Sequence, residues 1–335
     1  MTYVSRQFHL IDRPKGTPSS QSFSLVERQL TPPGPKQLLV KNLWLSVDPY
    51  MRGRMVDQPS YIAPFGLNEP LDGAAVGVVI ESRDDAFAPG DMVSHFSGWR
   101  DRAVIDASAA TLIESSLPAQ TFLGPLGLPG QTAYVGLLRI GAAKAGETVF
   151  ISAAAGAVGS IAAQIAKIKG CRVIGSTGSK DKERWLLEEA GIDVVINYRD
   201  TPDITAALMD AAPEGIDVYF DNVGGDHLEA AISAANDFAH FPLCGMIGQY
   251  NGEPVGPRNI FQVVTKRIRM EGFIVTDHSD MINDIHRDIS LWINRGDIKW
   301  TETIVEGLEN TPKAFIDLFN GKNTGKMIVR LDHSI

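Results

Sequence analysis

Cysteine is nearly missing: Cys171 and Cys244 are the only two in 335 residues. That excludes a disulfide framework and a cysteine-rich zinc site, and it reads as a reduced, cytoplasmic protein. No run approaches about 20 consecutive apolar residues, so no membrane span is expected. The opening stretch MTYVSRQFHLIDRPKG has no apolar core of signal-peptide type. Basic residues are outnumbered, 31 Lys and Arg against 40 Asp and Glu, and the net charge of -9 argues against nucleic acid or an anionic membrane as a partner. The seven histidines, His95, His227 and His240 among them, lack ligand spacing and read as surface or satisfied side chains. Neither repeats nor low-complexity segments occur. What remains is an ordinary globular composition, 44% hydrophobic and 21% charged, long enough for two domains.

The pattern changes near residue 125. Before it lie short strand candidates, QLLVKNLWLSVDPY, GAAVGVVIES, GDMVSHFSGW and DRAVIDAS, separated by Pro and Gly turns. After it apolar strand candidates, TVFIS, RVIGS, DVVIN, IDVYFD, FPLCGMI and RMEGFIV, alternate with helical stretches, which implies a parallel sheet covered on both faces. In DMINDIHRDISLWINRG, Ile282, Ile285, Ile289 and Trp292/Ile293 share one helix face. The tail, TPKAFIDLFNGKNTGKMIVRLD, returns to helix, loop and strand and is expected to rejoin the first part.

The segment VFISAAAGAVGSIAAQIAKIKG, Val149 to Gly170, is a strand, a small-residue turn and a helix. Ala154-x-Gly156-x-x-Gly159 is close to the dinucleotide fingerprint, with Ala154 where the first glycine usually stands. Small residues let backbone approach a ligand, and the helix N-terminus suits a phosphate. The next strand, Arg172 to about Ser176, has no acid at its end to hold a ribose 2′-hydroxyl. Lys180, Lys182 and Arg184 follow instead. Arg184, balanced by Asp181, Glu183, Glu188 and Glu189, reads as a solvated helix face. Lys182 points to a 2′-phosphate and hence to NADP(H).

With LWLSVDPYMRGRM, GLPGQTAYVGLL, YFDNVGG, CGMIGQYN, EGFIV and GKNTGKMIVR added in order, nearly the whole chain resembles the zinc-independent medium-chain dehydrogenase/reductases, in particular the alkenal/one and prostaglandin reductases with curcumin-reductase-like members. The resemblance implies an α/β protein: a Rossmann doubly wound parallel sheet over 126–297, plus a GroES-like β-rich domain over 1–125 completed by 298–335. It implies NADPH-dependent reduction of a carbon–carbon double bond conjugated to a carbonyl, a small hydrophobic enal or enone as substrate, and a homodimer. By position it puts the pyrophosphate at Gly156, Ala157, Val158 and Gly159, and the 2′-phosphate at Lys182 and Tyr198. Asn222, then Cys244, Gly245, Met246, Ile247, Gly248, Gln249 and Tyr250, then Phe273, Ile274 and Val275, and finally Asn323 line the cofactor. Plainer roles stand beside these: a strand-end tyrosine at Tyr198, a turn at Asn222 and Asn323, core strand positions at Phe273 and Val275, and a packed thiol at Cys244.

Zinc-dependent relatives use Cys, His and Cys or Glu ligands. Here Ser46 stands near the usual first Cys, and LDGAAVGVVIES replaces the usual Gly-His-Glu segment, so no metal is expected. Hydride addition to an enone β-carbon needs a donor for the developing enolate oxygen, and the α-carbon then takes a proton, with solvent as one source. Tyr250, after a Rossmann strand, is one candidate donor. Tyr50, in SVDPYMRG, is the other and should face the same cleft; it fits equally a packed aromatic after the Asp48-Pro49 turn. Met51 and Arg52 read as structural. The loops QPSYIAPFGLNEP and HFSGWR could wall an apolar pocket. A quinone reductase and a non-enzymatic NADPH-binding protein are the competing readings.

Overall fold

The computed structural model describes residues 3–253 and 255–331. Residues 1–2 and 332–335, which the expected first domain includes, lie outside that range. In chain order the strands are β1 (Tyr3–Leu10), β2 (Phe23–Leu30), β3 (Gln37–Ser46), β4 (Ala75–Ser82), β5 (Met92–His95), β6 (Arg102–Asp106) and β7 (Thr111–Leu112). Then come β8 (Thr148–Ile151), β9 (Arg172–Thr177), β10 (Val194–Asn197), β11 (Ile216–Phe220), β12 (Ala235–Leu243) and β13 (Arg269–Gly272), and last β14 (Glu302–Glu306) and β15 (Lys326–Arg330). The helices are α1 (Met51–Arg54), α2 (Leu128–Tyr134), α3 (Gly159–Ile168), α4 (Lys180–Glu188), α5 (Ile204–Ala211), α6 (Gly225–Ala234), α7 (Phe261–Thr265), α8 (Ile282–Arg295) and α9 (Thr311–Phe319). The chain forms two compact units, one running to Leu123 and resuming at Glu302, the other spanning Gly124–Thr301.

The Gly124–Thr301 unit is a Rossmann fold. Six parallel strands lie in the order β10-β9-β8-β11-β12-β13, so the chain reverses direction across the sheet between β8 and β11. Its central strands are apolar on both faces, as parallel strands covered by helices must be: Val149, Phe150 and Ile151 have no exposed surface. Leu208 of α5 and Leu228 and Ile232 of α6 cluster with Phe150, Ile174, Ile196 and Phe241. Side-chain caps start the helices: Asp203 Oδ1 accepts from Thr205 and Ala206 N–H, and Ser179 Oγ from Lys182 N–H.

Two expectations about local structure need correction. In α8, Ile285, Ile289, Trp292 and Ile293 are buried, but Ile282 is 40% exposed. Ile282 is the first helical residue, and a side chain there points back over the incoming chain, away from the packed face. The strand expected through RMEGFIV stops at Gly272, so Phe273 to Val275 lie beyond it.

The other unit is a GroES-like β-rich fold. Its larger sheet runs β14-β15-β3-β4-β5-β7, with β6 also on β3, and β1 pairs with β2 in a separate ribbon. The tail is integral to it: β15 pairs antiparallel with β3, Ile328 opposite Ser46. Trp99, which is fully buried, stacks on Phe23 and meets Phe8 and Phe315 edge-on. Met51 is fully buried, and the Arg52 guanidinium donates to the carbonyls of Pro14 and Gly16, holding that loop.

Candidate active site

In the Rossmann unit the expected cofactor residues gather at one edge, where all six strands end. Ala153, just after β8, adopts a left-handed φ of 49°, and its carbonyl accepts from Gly156 N–H at 2.9 Å. The turn is therefore made at Ala153, one residue before the position the fingerprint suggests. Ala154 is buried, and its N–H bonds Ser176 O at 2.9 Å. A Cβ at Gly159 would lie 2.4 Å from Ala153 O, so only glycine lets α3 begin this close to the turn. Gly156 to Gly159 lead straight into the N-terminus of α3, where unpaired N–H groups and the helix dipole favour an anion. The cradle fits a pyrophosphate.

Asp221, which the sequence reading did not single out, directly follows β11. Its carboxylate has no exposed surface. Oδ1 accepts from Tyr219 Oη (2.8 Å), Val223 N–H (2.9 Å) and Gly224 N–H (2.8 Å), while Oδ2 has no partner. Burial pushes its pKa up against the opposing effect of these bonds. The carbonyl of Asp221 accepts from Cys244 and Gly245 N–H. Asn222 N–H bonds Ser152 Oγ at 2.9 Å, and its Nδ2 donates to Ser152 O at 2.8 Å. Asp221, Asn222 and Ser152 thus tie together the ends of β8, β11 and β12 at the point where strand order reverses. The available signal was a polar residue closing each apolar run: Ser152 in TVFIS and Asp221 in IDVYFD.

After β12 the chain folds back on that knot. Ile247 N–H bonds Asn222 O, Gly248 N–H bonds Val223 O, and Ile247–Gln249 form one 3-10 turn. Tyr250 follows, and its hydroxyl accepts from Met246 N–H at 3.4 Å. Burial and the nearby Asp221 carboxylate push the Cys244 thiol up to about 12, so it is no nucleophile at neutral pH. Phe273, past the end of β13, packs edge-on against Phe220. A π-helical turn, Val135–Ile140, places Gly136 against both rings.

The 2′-phosphate candidates sit at the ends of β9 and β10. Tyr198 N–H bonds Thr177 O, and its ring meets His227 edge-on at 5.2 Å. Lys182 is half-buried in the first turns of α4. Arg184 is exposed and paired with Asp181 at 2.8 Å, as a solvated helix face should be. The histidines divide. His95 is buried and satisfied, bonded to Asn42 Oδ1 (2.8 Å) and Ser97 N–H (3.1 Å), and His240 bonds Gly141 O. His227 departs from the expectation: it is 7% exposed with no partner for Nε2. Burial lowers both His95 and His227 to about 4, so both are neutral.

Tyr50 and Asn323 belong to the other unit. Asn323 Nδ2 donates to Gly325 O at 2.8 Å, a bond that shapes the turn before β15. The Tyr50 ring packs on the unit's core, yet its buried hydroxyl has no partner. Burial, reinforced by Asp48, raises its pKa well above the usual phenol value, so it stays protonated and can only donate or accept as O–H. The Asp48-Pro49 turn that presents it rests on a buried ion pair. Lys326, 4% exposed, donates to Val47 O (2.9 Å) and Met327 O (2.8 Å) and pairs with Asp48 at 3.1 Å. Ser46 Oγ donates to the second oxygen of the same carboxylate. Lys326 went unnoticed in the sequence because 278 residues separate it from Asp48.

Among the described residues no group of three or more His, Cys, Asp or Glu is placed to hold a metal ion, and no helix is long and apolar enough to cross a membrane.

Comparison with known proteins agrees with this architecture. Residues 6–113 match the family described as the N-terminal domain of oxidoreductase, and residues 157–290 match the family described as zinc-binding dehydrogenase. The chain is 40% identical to the NADPH-dependent curcumin reductase of Escherichia coli over 98% of its length and 97% of that protein. It is 41% identical to a 2-alkenal reductase (NADP(+)-dependent) of Nicotiana tabacum over 89% of its length and 88% of that protein. The crystal structure of CurA from Vibrio vulnificus in complex with NADPH superposes with a TM-score of 0.93 at 39% identity, covering 98% of this chain and 99% of that one. The similarity runs along nearly the whole of these relatives, and the chain belongs to the alkenal and prostaglandin reductase group of the medium-chain dehydrogenase/reductases.

Proposed function

We propose that this chain catalyses the NADPH-dependent, metal-independent reduction of the carbon–carbon double bond of α,β-unsaturated aldehydes and ketones. The observation that carries the reading is the near full-length similarity to reductases of curcumin and of 2-alkenals. The phosphate cradle at the strand ends gives it a physical basis. Once bound, NADPH supplies the hydride that reaches the β-carbon. The chain's own work is to hold and to polarise. The backbone of Gly156 to Gly159 and the N-terminus of α3 receive the pyrophosphate, and Lys182 and Tyr198 receive the 2′-phosphate. Asn222, Cys244 to Tyr250, Phe273 to Val275 and Asn323 line the remainder of the cofactor. Negative charge develops on the carbonyl oxygen as the β-carbon is attacked, and a fixed O–H donor lowers the barrier. Tyr250 and Tyr50 are the candidate donors, and the unpartnered buried hydroxyl of Tyr50 supports that role for it.

The test is a panel of an enal, an enone and a quinone with NADPH, followed by product analysis. Saturated aldehyde or ketone as product supports the reading. An allylic alcohol or a hydroquinone as main product rejects it, and no turnover with tight NADPH binding would favour a non-enzymatic role.

The same reading makes the enzyme a cytoplasmic homodimer. β13 is the edge of the Rossmann sheet, with one side of its backbone unpaired in the sheet order. Beside it Phe238, Phe261 and Val264 are 65%, 72% and 66% exposed, a grouping that favours association. Light scattering should give twice the chain mass, and Phe261→Asp should reduce it to one.

A further inference from the structure

The ends of β9 and β10 bring two cations to one patch. Gly178 follows β9, and a Cβ there would lie 2.5 Å from Tyr198 Oη and 3.2 Å from Arg199 Nε. The phenol and the guanidinium therefore both lie against the bare backbone of Gly178. Ser179, the next residue, caps α4 and sets Lys182 in its first turn. Burial lowers the Lys182 pKa, and the charge of Arg199 lowers it further, so the two side chains feel each other. Among the described residues Arg199 joins no ion pair; its backbone N–H bonds Asn197 Oδ1 at 3.3 Å, and the adjacent Asp200 carboxylate is bound by Asn197 Nδ2. Arg184, in contrast, is neutralised by Asp181. Converging like charges are unfavourable unless an anion comes between them. A guanidinium fork can then give two parallel N–H bonds to phosphate oxygens.

We propose that Arg199 is a specificity-determining residue that grips the 2′-phosphate of NADPH together with Lys182, across the floor formed by Gly178. This rests on the NADPH reading above. It also accounts for Gly178, since any side chain there would push Tyr198 and Arg199 off the patch.

The experiment is calorimetric binding of 2′,5′-ADP and of 5′-AMP, which needs no turnover, to wild type, Arg199→Ala, Arg199→Lys and Lys182→Ala. KM for NADPH and NADH is measured alongside. Arg199→Ala should weaken 2′,5′-ADP about tenfold, as expected for one partly exposed charge-assisted contact, and leave 5′-AMP within about twofold. KM should rise for NADPH alone, and Arg199→Lys should retain part of the affinity. Equal loss of both nucleotides would make Arg199 a structural residue, and no loss of either would make it a solvated cation; each overturns the proposal while wild-type discrimination still upholds NADPH. A wild type that binds 2′,5′-ADP no tighter than 5′-AMP would bring down the NADPH reading itself, and Arg199 with it.

Discussion

In the Gly124–Thr301 unit the candidate site is made mainly of backbone: six strand ends, a left-handed Ala153, and loops pinned by a buried Asp221. In the other unit the candidate group is a side chain, the Tyr50 hydroxyl, buried without a partner beyond a turn anchored by the Lys326–Asp48 pair. Backbone sites depend on small residues and on strand order, so they tolerate variation elsewhere. A side-chain site depends on single groups from distant segments, and losing one leaves its partner stranded. The two units should therefore respond differently to substitution.

The largest effect should come from Lys326→Met, which leaves the Asp48 carboxylate buried without its cation. Breaking such a pair costs about 3–5 kcal/mol. Chemical denaturation should show a matching drop, and Asp48→Asn in the same chain should recover part of it. A Lys326→Met protein as stable as wild type would show that the pair does not support the turn.

Acid should act on both units at once. His95 and His227 are each lowered by burial to about 4. The unfolded chain takes up protons near 6.5 and the folded one does not, so stability is full above about pH 6.5 and falls as pH drops towards 4. Linkage puts this at about 3 kcal/mol per residue. Replacement separates the two. His95→Phe strips partners from Asn42 and Ser97 and should cost about 1–3 kcal/mol at pH 7. His227→Phe, with no Nε2 bond to lose, should be nearly neutral at pH 7 and flatten the acid limb. Stability followed by denaturation from pH 4 to 8 gives both results.

The tyrosines offer a direct contrast. Tyr50→Phe removes an unpartnered hydroxyl and should leave the fold as stable or stabilise it by about 1 kcal/mol, while turnover falls. Tyr250→Phe takes the partner of Met246 N–H and should lower turnover about 10- to 100-fold with cofactor affinity little changed. Rates with NADPH and a saturating enone, with a deuterated cofactor to confirm that hydride transfer limits, decide which hydroxyl serves the carbonyl oxygen. A Tyr50→Phe enzyme that is more stable and fully active would leave Tyr50 as packing alone.

Lys182→Ala should act on the cofactor alone, raising KM for NADPH about tenfold through loss of one charged contact and leaving NADH use nearly unchanged. Steady-state kinetics with the two cofactors measures it. Equal losses would mean that Lys182 supports α4 rather than the phosphate.

Local physics made much of this molecule readable in the chain itself. Apolar runs such as Val149 to Ile151 and small residues between strand and helix each act within a few residues, so the parallel sheet and the tight turn into α3 follow from pattern alone. The ends of elements were less legible. Ile282 shares the helical spacing of Ile285 and Ile289 yet is exposed, and Phe273 continues an apolar run yet lies outside its strand, because packing against distant segments decides where an element stops. Pairings across long stretches of chain were not legible at all. Nothing near Asp48 in the sequence announces Lys326, and nothing near Ser152 announces Asp221. Burial forces each such polar group to find a partner or leaves it in need of one, and only the folded chain determines which residue stands close enough.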